Sequence, residues 1–123
     1  MQYILGPVVY PAGFFDFRFA EKYGVCEAIL FNGIAHEITL AERLSEKERE
    51  YNFLGTMEDG GHLWVRFTEK ILYHPFPKLF DAETTKKAVE HMKDSGVILI
   101  RPSMTRGYYW VALGDENRRE EDG

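Results

Sequence analysis

One cysteine, Cys26, occurs in 123 residues. No internal disulfide can form, and a reducing compartment, the cytoplasm, is the expected setting. Apolar runs are short as well, none longer than six residues, which leaves nothing to span a bilayer as a helix. The start, Met1-Gln2-Tyr3, lacks a basic stretch leading into an apolar one, so no secretory signal is expected. Positive charge is in deficit: 15 Lys plus Arg stand against 20 Asp plus Glu. The end, from Asp115 onward, holds five acids and two bases, a net of −3, leaving −2 of the chain's −5 on residues 1–114. A body this close to neutral has no general attraction for polyphosphate, and an acidic tail repels it, which argues against broad nucleic-acid binding.

Catalytic and metal motifs are missing too. The four histidines, His36, His62, His74 and His91, show no close-spaced pair, and no cysteine pair accompanies them. A zinc site needs three or four converging ligands, so no metal and no cofactor is expected. Glu58-Asp59-Gly60-Gly61 lacks the alternating oxygen ligands of a calcium loop. Ser45, Ser95 and Ser103 have no Gly-x-Ser-x-Gly elbow around them, and no glycine-rich loop precedes a helix; serine-nucleophile and phosphate-loop chemistry have no foothold.

What is present is material for a core: 45% hydrophobic residues, including 2 Trp, 7 Tyr and 9 Phe. No internal repeat or linker divides the chain, so residues 1–114 read as one globular domain and 115–123 as a charged, solvated tail. Residues 3–10 suggest a strand bent at Gly6-Pro7. Phe15-Asp16-Phe17-Arg18-Phe19 alternates with period two and predicts a half-buried strand. Asn32-Gly33 lies between two stretches rich in strand formers, residues 25–31 and 34–40. Asn and Gly tolerate the positive φ of a type I′ turn, so a hairpin is expected there. Its register would place His36 diagonally from Glu27 on one face and Cys26 on the other. Cys26 then reads as a small buried hydrophobe.

Residues 41–54 fit either a helix, opened by Ser45-x-x-Glu48 and stopped at Gly55, or a strand pair. A turn at Glu58-Asp59-Gly60-Gly61 leads into an alternating strand, with Leu63, Val65 and Phe67 on one face and His62, Trp64, Arg66 and Thr68 on the other. Ile71-Leu72-Tyr73 extends that strand or starts another, until Pro75 and Pro77 stop it. Asp81 as N-cap, Gly96 as stop, and Thr85, Ala88, Val89 and Met92 as a stripe between them predict an amphipathic helix. Continuous apolarity at Val97-Ile98-Leu99-Ile100 predicts a central strand covered on both faces. Residues 108–113 return as an aromatic strand. The expected class is α+β: a mainly antiparallel sheet of about five to seven strands with one or two helices on one face.

The residues that could carry function are arginines among aromatics. Arg66 shares a strand face with Trp64 and His62, and Arg101-Pro102-Ser103-Met104-Thr105-Arg106-Gly107-Tyr108-Tyr109-Trp110 gathers two guanidiniums, two hydroxyls and three rings. Trp64, Arg66, Arg101, Ser103, Thr105, Arg106, Tyr109 and Trp110 are therefore the candidate binding residues. Guanidinium forks grip anionic oxygens, and Trp, Tyr and Arg dominate interface hot spots. The leading expectation is a small intracellular binding protein without enzymatic activity, an inhibitor or antagonist of a protein partner, with Arg101 and Arg106 held beside Tyr109 or Trp110. A nucleotide-like anion held by Arg66, Arg101 and Arg106 is the alternative ligand. A hydrolase or transferase using His36 with Glu27 ranks third. An exposed aromatic strand would equally suit a homodimer face.

Overall fold

In the computed structural model, which describes residues 15–43 and 55–115, the first aromatic cluster is not a strand. Asp16 has extended backbone, and its carboxylate accepts the amide hydrogens of Arg18 (2.8 Å) and Phe19 (3.4 Å). That is an N-cap, and helix α1 (Phe17–Tyr23) follows it. The alternation of Phe17 and Phe19 is overridden because one short acidic side chain satisfies two of the orphan amides that open a helix. Gly24, at φ 118°, ends α1 by donating its amide to the Ala20 carbonyl.

The predicted hairpin is also corrected. Val25–Arg43 is one continuous helix, α2, running through Asn32-Gly33. Its buried residues include Ala28, Phe31, Ile34, Ala35, Ile38 and Ala41, a recurrence at three and four residues that lays one apolar stripe on the sheet. Burying that stripe outweighs the cost of about 1 kcal/mol for glycine in a helix interior. Gly33 does not have positive φ, and a Cβ there would only touch the Phe76 ring at 4.0 Å. The readings of residues 3–10 and of 44–54 lie outside the described residues.

After Gly55 the strand reading holds. β1 (Thr56–Asp59) and β2 (His62–Thr68) pair through Asp59↔His62. Gly60 and Gly61, at φ 62° and 78°, make the two-residue turn between them, a backbone shape that glycine adopts with least strain. Thr68 then ends the strand by capping a short helix, α3 (Glu69–Tyr73): its Oγ1 accepts from the Ile71 amide at 3.1 Å. Ile71-Leu72-Tyr73 is thus helical, not strand. Asp81 caps α4 (Ala82–Asp94), with Oδ1 accepting from the Thr84 amide at 2.7 Å. The four stripe residues Thr85, Ala88, Val89 and Met92 are all buried. The Asp81 carboxyl is held below its usual range by the backbone amide and then the hydroxyl of Thr84.

β3 (Ile98–Pro102) and β4 (Tyr108–Leu113) close the sheet, whose order is β1-β2-β4-β3 with every pairing antiparallel. Among the described residues there are four strands, fewer than the five to seven expected, and four helices, more than the one or two expected. Among the described residues, 97–100 lie at an edge of the sheet and not at the centre. Val97 and Ile98 are fully buried, whereas Leu99 and Ile100 keep partial exposure. The central position falls to β4, which pairs with both β2 and β3. Gly114 follows β4 with its amide on the Val97 carbonyl at 2.9 Å, so close to Gly96 that a Cβ would strike the Gly96 carbonyl oxygen.

The core lies between one face of the sheet and the helices. Leu30, Phe31, Ile34 and Ile38 of α2, Leu72 of α3, and Val89 and Met92 of α4 pack on Val65, Phe67, Ile98 and Val111. The α+β class and the antiparallel sheet stand as expected, in one small domain. No helix among the described residues is long and apolar enough to cross a membrane.

Candidate functional site

Strand alternation decides which candidates can act together. Val65 and Phe67 point into the core, so His62, Trp64, Arg66 and Thr68 point to the opposite face. Val111 points inward, so Trp110 and Tyr108 join Arg66 on that opposite face, and so does Arg101 through its pairing with Trp110. No described helix lies there. Arg66 and Arg101 both oppose Trp110 across the strands, so the three residues stand in one row of the backbone register over three strands.

The contacts within this face are specific. The Arg66 guanidinium lies 4.9 Å from the Tyr108 ring centre and 6.0 Å from that of Trp110. Arg101 lies 3.9 Å over the Trp64 ring, and its Nη1 donates to Asp59 Oδ2 at 2.9 Å. One side chain thereby reaches from edge strand β3 over the sheet to the opposite edge strand β1. Trp64 is 5% exposed, and its indole N–H donates to the Asp59 carbonyl at 3.1 Å. His62 sits edge-on to Trp64, with Nε2 3.0 Å from Asp115 Oδ1. A cation over an aromatic face is drawn by the ring quadrupole, and the ring holds the guanidinium plane in place.

Of the eight candidate residues, Trp64, Arg66, Arg101 and Trp110 are brought together. Tyr109 is not among them: it faces the helix side, packs on the core and meets Tyr73 edge-on at 5.4 Å. Its neighbour Tyr108, absent from the candidate set, takes the place beside Arg66. Parity alone could have made that choice, since residues 108 and 110 share a face. Ser103, Thr105 and Arg106 lie in the turn between β3 and β4, where Ser103 Oγ accepts from the Thr105 amide at 3.1 Å. Arg106 is exposed there, outside the strand row. In place of the expected Arg101 and Arg106 beside Tyr109 or Trp110, Arg101 lies on Trp64, and Arg66 lies beside Tyr108 and Trp110.

The pairing of His36 with Glu27 does not form. Both lie on α2, nine residues apart, about 13 Å along a helix axis. Glu27 instead meets His91 of α4, Oε2 to Nδ1 at 2.6 Å. Gly24 leaves room for that carboxylate, because a Cβ there would sit 2.6 Å from Glu27 Oε1. Cys26, half-buried against the core, has its thiol pushed up by burial and then by the Glu27 charge, the opposite of what a reactive thiolate needs. Among the described residues, no three His, Cys, Asp or Glu side chains gather to hold a metal ion.

In comparisons with known proteins, no family model matches this chain, and none of the curated proteins or solved structures matches it.

Proposed function

We propose that this is a non-enzymatic binding protein that engages a protein partner through the sheet face of Arg66, Arg101, Tyr108 and Trp110, with the buried Trp64 supporting Arg101 from beneath, acting as an inhibitor or antagonist inside the cell. The observation that carries this reading is the Arg66 guanidinium beside Tyr108 and Trp110, on the side of the sheet with no described helix. Arg, Trp and Tyr are the residue types that anchor interfaces, because each combines a large apolar area with a hydrogen-bonding end. The rings of Tyr108 and Trp110, held by Arg66, would cover apolar area of the partner. The nucleotide-like anion is less well supported, since Arg101 is already bonded to Asp59 and Arg106 lies in the exposed turn.

The test is capture of partners by the tagged protein from its native source, read by quantitative mass spectrometry. Arg66→Ala and Trp110→Ala together should reduce recovery of the partner by about tenfold or more, the scale of a hot-spot loss. Their circular dichroism should match the wild type. Recovery equal to wild type with both side chains removed would rule this face out as the binding site.

A further inference from the structure

On the helix side, away from the arginine face, a cleft of about 530 Å³ opens between α3, α4 and the β3–β4 edge, within the size range of small-molecule sites. The half-buried rings of Tyr73 and Tyr109 line it, packed edge-on to each other. Lys86, Glu90 and Lys93 line it from α4 and Glu69 from α3. On α4 the three charged residues stand at i, i+4 and i+7, which puts them on one face of the helix.

Lysine and glutamate are equal in number in this cleft, two of each, and His74 lines it beside them. Lys87 closes an ion pair with Glu83 at 3.2 Å. Lys86 and Glu90 have the same spacing and form none, nor do Lys93 and Glu69, among the described residues. The order Lys then Glu is the weaker one along a helix axis, so both ends of the pair stay available. Two ammonium groups, two carboxylates and the His74 imidazole around an aromatic wall do not favour a strongly charged ligand of either sign. They complement a dipolar one. The Tyr73 phenol, pushed up to about 12 by burial and then by Glu90, stays protonated as a hydrogen-bond donor.

We propose that this cleft binds a small aromatic zwitterion, a free aromatic α-amino acid, with its carboxylate toward Lys86 and Lys93, its ammonium toward Glu69 and Glu90, and its ring against Tyr73 and Tyr109. This is independent of the arginine face. The experiment is an NMR titration of the full chain with three probes: L-phenylalanine, 3-phenylpropionate, which lacks the ammonium, and 2-phenylethylamine, which lacks the carboxylate. L-Phenylalanine should saturate with a Kd of about 1 mM or tighter, shifting the Tyr73 and Tyr109 resonances, and each truncated probe should bind at least about tenfold more weakly. Lys86→Ala with Lys93→Ala, both at exposed positions, should weaken L-phenylalanine at least about tenfold while leaving the fold unchanged. Any of three results overturns the proposal: no saturable shift with L-phenylalanine, equal binding of a truncated probe, or undiminished binding by the double variant.

Discussion

The two faces of the sheet are made by alternate residues of the same strands, yet they are stabilised by different forces. On the helix side Val65, Phe67, Ile98 and Val111 are at most 1% exposed, and burial of apolar area does the stabilising. On the other side His62, Trp64, Arg66, Arg101, Tyr108 and Trp110 hold one another by ring contacts, guanidiniums over rings and a bond to Asp59. Contacts of that second kind are worth little each when exposed, but they fix side chains in orientation. A period of two thus separates the residues that hold the domain together from those that could meet something else.

Substitutions can break this division. Phe67→Ala should cost about 3–5 kcal/mol, read by urea unfolding; a loss near 1 kcal/mol would mean that the helix side does not dominate stability. Arg101→Ala removes the guanidinium from Trp64 and the link to Asp59, with the two charged side chains 43% and 55% exposed. Its cost should be only about 1 kcal/mol, and a loss as large as that of Phe67 would erase the contrast. Gly33→Ala, on the helix that covers the core, should change stability least and in the favourable direction, by about 0.5–1 kcal/mol. In a type I′ turn the same change would be destabilising, so its sign separates helix α2 from a hairpin in solution.

That last comparison shows which parts of the fold were legible. Helix α4 was readable because cap, stripe and stop each act locally: Asp81 bonds the Thr84 amide, the stripe Thr85, Ala88, Val89 and Met92 is buried, and Gly96 follows at positive φ. The Gly60-Gly61 turn was readable for the same reason. In α2 the apolar residues satisfy two periods at once, and alternation plus Asn-Gly outweighed the recurrence of Ala28, Phe31, Ala35 and Ile38. What chose between them was packing on a sheet formed mostly from residues after 60, which no local window contains. Residues 97–100 were misplaced because apolarity on both faces of a strand reports burial, not rank in the sheet. Within the site, Trp64 and Arg66 followed from parity. The reach of Arg101 to Asp59 depends on tertiary geometry that sequence order does not carry.

The position of β4 bears on how the chain acquires this shape. β4 is the last strand described, yet among the described residues it lies between β2 and β3 and pairs with both. Until residues 108–113 emerge from the ribosome, β2 and β3 lack the strand that pairs with both of them. The sheet is then completed by insertion of a late segment between two waiting strands, a step dominated by long-range closure that leaves apolar edges bare in the nascent chain.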